Sequence, residues 1–311
     1  MDYDSRAISR RRFLRQSSGL IAALLLNPRA PNSAERPNIT KLIPSTGEPL
    51  PVIGMGSWLT FDVGSNADER ADRAKVLQAF FDNGGTLIDS SPMYGSSEEV
   101  IGEGLKSIKN KINLFAATKV WILGKKSGIQ QMENSQKFWG VPRFDLMQIH
   151  NMLDWETHWE TLKEWKAEGR IRYIGITTSH GSRHEALAKA MVKTPFDFVQ
   201  FTYNLEDRDV EQRLLPLAQE RGMAVLINRP FNGGSLFHRV RSKPLPLWAS
   251  EFDCRNWAQY FLKFIVSHPA VTCAIPATSK VDHMLENMGA VFGRLPDAAT
   301  RRRMLEYFER L

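Results

Sequence analysis

Four polar residues lie at or just beyond the ends of three apolar, strand-like runs, and their types suit proton transfer. Asp89 and Tyr94 belong to "LIDSSPMYG", Lys119 lies near the end of "NLFAATKVW", and His150 ends "FDLMQIH". A buried lysine needs a carboxylate partner, which Asp89 can supply. A charged Lys119 would lower the pKa of a nearby phenol, so that Tyr94 could protonate an oxygen forming on a carbonyl. His150 could hydrogen-bond the same oxygen.

These residues converge only if the strands that carry them are parallel and end at one edge. Eight apolar runs follow one another, at residues 52–55, 86–91, 113–121, 144–150, 171–178, 196–202, 223–230 and 271–277. Helical segments such as "DWETHWETLKEWKAEG" separate them, a pattern typical of parallel β/α units. Eight units predict an α/β fold, a (β/α)8 TIM barrel, with an N-terminal bottom hairpin around Ser45-Thr46-Gly47. A doubly wound open sheet is the alternative, but no G-x-G-x-x-G follows the first strand.

The chain resembles the aldo-keto reductase family from about Ile39 to beyond Asn287. The motifs that carry the resemblance, in the family's order, are "LIDSSPMYG", "ATKVW", "FDLMQIHN", "GRIRYIGIT", "VQFTYNL" and "IPATSKVDHMLENMGA". The resemblance implies a barrel in which Tyr94 is the general acid and a nicotinamide nucleotide delivers hydride. The other three catalytic positions would then be Asp89, Lys119 and His150. We therefore predict an oxidoreductase that reduces an aldehyde or ketone with NADPH.

The resemblance also implies which positions hold the nucleotide. These positions are Ser57, Thr177, Thr178, Gln200, Asn228, Arg229, Pro230, Phe231, Thr278, Ser279, Lys280, His283, Glu286 and Asn287. Where the family commonly has Ser-Asn to hold the nicotinamide carboxamide, this chain has Thr177-Thr178, which lacks the amide. Gln200 remains available for that contact. Asn228 stands where many members have a tyrosine that stacks on the nicotinamide.

The segment after the eighth strand predicts NADP as the cofactor, with NAD as the alternative. Thr278, Ser279 and Lys280, at the start of a helix, would offer N–H groups, hydroxyls and a cation to a 2′-phosphate. Ala277 and His283 stand where many members carry a lysine and an arginine, so the preference should be weaker than the family's best. NADPH binding should tighten as the pH falls from about 7.5 to about 6, because His283 would help mainly when protonated.

Trp58 and Trp121, together with His150, are expected to line the substrate pocket, which favours an apolar or ring-bearing carbonyl compound. Two other functions remain open. The scaffold could hold its nucleotide tightly and report redox state to a partner with little turnover. Alternatively, Lys119 could be the Schiff-base nucleophile of an aldolase, although that role needs a neutral amine and Asp89 favours the charged form.

The first 34 residues form a distinct segment. "SRRRFLR" precedes an apolar run of 8 residues from Gly19 to Leu26, which is too short to span a bilayer. Together the arginine motif and the run resemble a twin-arginine export signal. We therefore predict a signal peptide at 1–34 and a barrel over 35–311. The protein would be a bacterial one, exported or periplasmic, that uses the twin-arginine machinery and has no stable membrane anchor.

Composition excludes several other classes of protein. The formal net charge is +7, and residues 1–34 hold six Arg and two Asp, a net of +4, so the rest of the chain carries only +3. A mildly basic body without an arginine-rich helix gives no case for nucleic acid. Cys254 and Cys273 lie near no metal-spaced cluster, so no metal site is expected. With 42% hydrophobic residues the chain can bury a large core, and we expect a monomer.

Overall fold

The computed structural model describes residues 37–109 and 113–311, so the predicted signal peptide lies outside the described residues. Within those ranges the strands, numbered in chain order, are β1 (Thr40–Leu42), β2 (Pro49–Pro51), β3 (Met55–Gly56), β4 (Leu87–Asp89), β5 (Phe115–Val120), β6 (Phe144–Ile149), β7 (Ile171–Thr177), β8 (Phe198–Thr202), β9 (Ala224–Asn228) and β10 (Cys273–Ala274). The α-helices of the same ranges are α1 (Ala67–Asp82), α2 (Ser97–Ser107), α3 (Lys125–Trp139), α4 (Trp155–Ala167), α5 (His184–Lys193), α6 (Leu214–Glu220), α7 (Ser235–Arg239), α8 (Trp257–Val266), α9 (Val281–Met288) and α10 (Ala298–Glu309).

Strands β3 to β10 form one parallel sheet in which every strand pairs with its neighbour in sequence. Two further parallel bridges, Ile53 to Ala274 and Gly56 to Ala277, join the first and last strands. Helices connect successive strands on the outside, as parallel pairing requires. The predicted (β/α)8 barrel is thus confirmed. The predicted first strand, 52–55, is shorter and later in the structure, because its pairing at the seam is divided between β4 and β10.

The N-terminal hairpin closes the bottom of the barrel, as predicted. Strands β1 and β2 pair antiparallel, with Thr40 opposite Pro51, and Ile43 and Leu50 are buried in the same apolar cluster as the inward-facing barrel residues. Lys41 Nζ fastens the hairpin by donating to the carbonyl oxygens of His268 (2.6 Å) and Val271 (2.5 Å).

The inward-facing side chains change from apolar to polar along the strands. The apolar layer in the barrel contains Leu87, Phe115, Ala117, Leu146, Tyr173, Phe198, Ala224 and Leu226. Because side chains alternate along a strand, the next inward positions lie two residues further on. They include Asp89, Lys119, Gln148, Gln200 and Asn228. At Gly175, on β7, a Cβ would lie 2.8 Å from Cγ of Gln148, so the glycine leaves room for this polar layer at the carboxyl end.

The described residues contain no membrane-spanning helix, no cluster suited to a metal ion and no disulfide. None of their helices has the length and apolar character that a bilayer crossing needs. No three His, Cys, Asp or Glu side chains of that part of the chain converge as a metal site would require. Cys254 and Cys273 are both free and buried, so no disulfide joins them.

Candidate active site

Lys119 is the buried cation at the centre of the site. Its side chain has 0% exposure, and Nζ donates to Oδ2 of Asp89 (2.5 Å) and to the carbonyl oxygen of Ser90 (2.7 Å). Burial alone would lower the pKa of Lys119, but Asp89 and Tyr94 outweigh it and hold the pKa above its ordinary value. The amine is therefore charged, as the sequence predicted, which disfavours a Schiff-base role.

The second carboxylate oxygen of Asp89 is held by a network of amides. Oδ1 accepts hydrogen bonds from Nε2 of Gln148 (2.8 Å) and Nε2 of Gln200 (3.1 Å). Gln200 also donates to Oε1 of Gln148 (3.0 Å) and accepts from Nδ2 of Asn228 (3.3 Å). Gln200 is held by these bonds and also lines the cavity, so its contact with a nicotinamide carboxamide stays a prediction. Gln148 was not predicted, although it occupies an inward position two residues before His150.

Tyr94 lies on the turn after β4, between Lys119 and His150. Nζ of Lys119 is 5.1 Å from the centroid of the phenol ring, and the ring meets the imidazole edge to face at a centroid distance of 5.7 Å. Burial raises the pKa of Tyr94 and prevails over Lys119, which lowers it. The expected net lowering by the ammonium is therefore wrong in sign, because the phenol loses more hydration than the lysine offsets.

His150 follows β6 and is buried beside Tyr94. Burial, reinforced by the positive charges of Lys119 and Arg183, lowers its pKa to about 2. The imidazole is therefore neutral at any physiological pH. Its Nδ1 lies 2.8 Å from Oγ of Ser91, a residue that the sequence had not singled out.

A cavity of about 540 Å³ opens above these residues at the carboxyl ends of the strands. The predicted site residues that line it are Ser57, Trp58, Asp89, Tyr94, His150, Thr177, Gln200, Asn228, Arg229, Pro230 and Phe231. The lining also includes residues that were not predicted, namely Gly56, Leu59, Thr60, Met93, Asn151, Ser179, His180, Gly233, Gly234, Phe237, Ile275 and Ala277. Most of these belong to loops that follow the barrel strands, which is the signal that could have found them.

Two of the predicted site residues, Trp121 and Thr178, lie outside the cavity lining. Trp121 does not line the cavity; the residue is 40% exposed, and its ring lies beside that of His150 at a centroid distance of 6.3 Å. Thr178 is buried outside the lining, and its carbonyl oxygen accepts from Nδ2 of Asn228 (3.2 Å). Trp58 alone of the two predicted tryptophans therefore forms a wall of the cavity.

The segment predicted to hold the 2′-phosphate lies at the start of α9, outside the cavity lining. Oγ1 of Thr278 accepts from the N–H of Lys280 (3.2 Å), and α9 itself carries His283, Glu286 and Asn287. Arg73 of α1, which was not predicted, reaches this segment and donates to the carbonyl oxygen of Ser279 (3.4 Å). Its Nε also donates to the carbonyl oxygen of Thr60 (2.5 Å), a cavity residue.

At one cavity of the eight-stranded parallel barrel lie a tyrosine, a neutral histidine and an aspartate that is paired with a buried lysine. These features define the class of the protein as a barrel enzyme equipped for proton transfer. A sequence model of the aldo/keto reductase family matches residues 52–302. The chain therefore belongs to the aldo/keto reductase family, and it is an oxidoreductase, as its motifs predicted.

Individual relatives share about a quarter of their residues with this chain. Methylglyoxal reductase YeaE of Escherichia coli (strain K12) is 26% identical over 264 residues, which cover 83% of this chain and 92% of that protein. The thermostable aldo-keto reductase Tm1743, solved with the inhibitor epalrestat, is 26% identical with a TM-score of 0.72, covering 87% of this chain and 99% of that one. An aldo-keto reductase of Klebsiella pneumoniae solved with NADPH shares the fold, with a TM-score of 0.70, 23% identity, and coverage of 87% and 95%.

Proposed function

We propose that this protein reduces an aldehyde or ketone to an alcohol with NADPH, and that Tyr94 supplies the proton. The observation that carries the proposal is that Asp89, Tyr94 and His150 line one cavity, with the buried Lys119 paired to Asp89 and 5.1 Å from the centroid of the Tyr94 ring. Reduction of a carbonyl places negative charge on its oxygen, and the site offers that oxygen a proton donor and a neutral hydrogen-bond donor.

Each side chain has a distinct part in this chemistry. Because its pKa is raised, Tyr94 holds its proton at neutral pH and can give it up only to a strong base, such as an alkoxide. The charged Lys119 then stabilises the phenolate that remains, while Asp89 keeps Lys119 charged. Neutral His150 can donate one N–H to the carbonyl oxygen and orient it toward Tyr94.

The residues present fit a nicotinamide nucleotide. Ser57, Thr177 and Asn228, whose side chains carry hydroxyl and amide groups, line the cavity together with Tyr94 and His150. The start of α9, with Lys280 and with Arg73 close by, offers N–H groups and cations to a phosphate. The nucleotide would supply the hydride when bound, and these residues would hold it.

Replacing Tyr94 with Phe tests the assigned acid. We expect the variant to bind NADPH as the parent does and to lose a factor of at least about 100 in kcat, the scale of one positioned general acid. Rates would be measured with an aromatic aldehyde and with methylglyoxal, the substrate named for the Escherichia coli relative. Tyr307→Phe is the matched control, since within residues 37–109 and 113–311 the one hydrogen bond of its hydroxyl is to the exposed Pro244 carbonyl oxygen.

Three results would count against this assignment. Parental rates in the Tyr94→Phe variant would show that another group supplies the proton. An equal loss in Tyr307→Phe would point to a general effect on the fold. Negligible turnover by the parent protein, purified with a retained nucleotide, would favour the redox-sensor alternative over an oxidoreductase with full turnover.

The choice between NADPH and NADH is tested by titrating the protein with each of them. We expect NADPH to bind more tightly, because a 2′-phosphate makes charge-assisted hydrogen bonds at the start of α9. Equal or tighter binding of NADH would defeat the NADP assignment.

We further propose that residues 1–34 direct the folded protein out of the cytoplasm through the twin-arginine machinery, to the periplasm. The support is the arrangement of Arg10, Arg11, Phe13 and Leu14 ahead of a short apolar run. A protein exported after folding could carry its nucleotide with it. Changing Arg10 and Arg11 to Lys should leave the protein in the cytoplasm, while Arg29→Lys should not. Normal export of the double variant would refute the proposal.

A further inference from the structure

We propose that Ser91 is a positioning residue that fixes the tautomer of His150, so that the proton of the neutral ring is on Nε2, the nitrogen left to hydrogen-bond the substrate. This inference rests on the proposed function for its catalytic meaning. The hydrogen bond from which it starts joins Oγ of Ser91 and Nδ1 of His150 at 2.8 Å.

The surroundings of Ser91 determine the direction of this bond. Ser91 is fully buried, and Oγ already accepts a hydrogen bond from the backbone N–H of Met93 (3.2 Å). The hydroxyl hydrogen must therefore find an acceptor. Within residues 37–109 and 113–311, the one acceptor bonded to this hydroxyl is Nδ1 of His150. Ser91 accordingly donates, and Nδ1 is the unprotonated nitrogen of the ring.

The opposite tautomer is disfavoured for two reasons. If Nδ1 carried the proton, it would donate to Oγ of Ser91 and leave the buried hydroxyl hydrogen without a partner, which costs free energy. The Nε2 lone pair would also be left to face the oxygen of a carbonyl substrate and would repel it. A neutral imidazole has a single N–H, and His150 stays neutral because burial lowers its pKa to about 2. Ser91 therefore determines whether that N–H is available to the substrate.

Ser91 holds Tyr94 as well as His150. Its carbonyl oxygen accepts the backbone N–H of Tyr94 (3.0 Å), closing the turn that carries the phenol. One residue thus sets the position of the turn that bears the proton donor and the orientation of the ring beside it. Replacing Ser91 by Ala keeps this backbone bond and removes both bonds of the side chain, the one to Nδ1 of His150 and the one from the N–H of Met93. The nitrogen shifts of His150 report the first of these losses directly.

Nitrogen-15 NMR of the full-length, histidine-labelled protein tests the tautomer without any turnover. The resonances of His150 are assigned by their loss in His150→Gln. We expect Nδ1 to have the chemical shift of an unprotonated ring nitrogen and Nε2 that of a protonated one, unchanged from about pH 6 to about pH 8. In Ser91→Ala we expect the two shifts to move toward each other as both tautomers become populated. A protonated Nδ1 in the parent protein, or identical spectra in the two proteins, would overturn the proposal.

Kinetics then test whether the tautomer matters. We expect Ser91→Ala to lower kcat about 10-fold with the nucleotide affinity unchanged, since a histidine in the wrong tautomer cannot do its part in catalysis. Ser91→Thr restores the hydroxyl and should recover most of the rate. Ser97→Ala is the control, because Ser97 is an equally buried serine whose hydroxyl has no partner in the described part of the chain. A rate in Ser91→Ala equal to that of Ser97→Ala would refute the role in catalysis.

The two experiments separate this proposal from the proposed function. If the protein reduces no carbonyl compound but His150 has the expected nitrogen shifts, the tautomer assignment stands and the assigned reaction fails. If reduction depends on Tyr94 but the spectra show a protonated Nδ1, the reaction stands and the role of Ser91 fails.

Discussion

Replacing Asp89 with Asn should leave Lys119 as an unpaired charge in the interior of the barrel. Lys119 is completely buried, and its partner is the one carboxylate within 4.0 Å of Nζ in the described part of the chain. Removing one member of a buried ion pair typically costs about 3–5 kcal/mol, because the remaining charge loses its compensation. The two amides that bond Oδ1 can keep an acceptor on the Asn side chain, so the loss falls mainly on Lys119.

This cost should be visible in thermal unfolding. For a domain the size of residues 37–311 the entropy of unfolding is about 0.6 kcal/mol per kelvin, so a loss of about 3–5 kcal/mol lowers Tm by about 5–9 °C. Reduction should also nearly cease. Without Asp89 no carboxylate holds the amine, and burial disfavours its charge, so Lys119 stabilises the Tyr94 phenolate less.

Calorimetry of four proteins decides the point: the parent, Asp89→Asn, Lys119→Met and the double variant. We expect the double variant to lose less stability than the two single variants together, by about 0.5–3 kcal/mol, since it leaves no unpaired charge. Asp72→Asn is the control, because Asp72 and Lys75 form an exposed pair, which should contribute nothing measurable. A Tm for Asp89→Asn within about 1 °C of the parent, or strictly additive losses, would refute the reasoning.

Three further predictions concern pH, packing and thiol chemistry. The kcat of reduction should be independent of pH from about 5 to about 9. The pKa of His150 is lowered to about 2, and the pKa of Tyr94, the acid that must stay protonated, is raised above 10.0. A change in kcat with a midpoint near pH 6.5 would contradict this. Gly102→Ala should lower Tm, because its Cβ would lie 1.8 Å from the carbonyl oxygen of Phe138, and overpacking of about 1–3 kcal/mol outweighs the gain of about 1 kcal/mol in helix propensity; Gly181→Ala, with its nearest neighbour at 3.8 Å, is the control. Neither buried cysteine should react with a thiol reagent in the folded protein, since burial raises both pKa values, and both should react in denaturant; labelling of the native protein would show that the core opens.

The barrel and the convergence of Asp89, Tyr94, Lys119 and His150 were predictable because both depend on local sequence. Strands in a parallel barrel are buried on both faces and therefore read as apolar runs. A polar residue at the end of such a run has a fixed direction, since side chains alternate along a strand. Asp89, Lys119 and His150 were accordingly identified from their positions alone. The family motifs then supported the same residues.

The remaining features depend on distances that the sequence does not contain. Whether Lys119 or burial dominates the pKa of Tyr94 depends on how much water the finished fold excludes, and burial dominates. The engagement of Gln200 with Asp89 joins residues 111 positions apart and exists only once the barrel is closed. Trp121 lies outside the cavity because the direction of a loop side chain is not determined by the strand before it. The contact between Ser91 and His150 was not predicted, because a serine in a turn commonly hydrogen-bonds the backbone of that turn.

The hairpin at the bottom of the barrel has a consequence for the order of folding. Its Lys41 bonds to His268 and Val271, which are 227 and 230 residues further along the chain. The barrel seam likewise joins Ile53 to Ala274. During translation the hairpin therefore emerges long before its partners, and the inner apolar surface cannot be sealed until almost the whole barrel has left the ribosome. A chain released early would lack the last strand and would expose that surface to chaperones and proteases, so that completion of synthesis and acquisition of a protected core coincide.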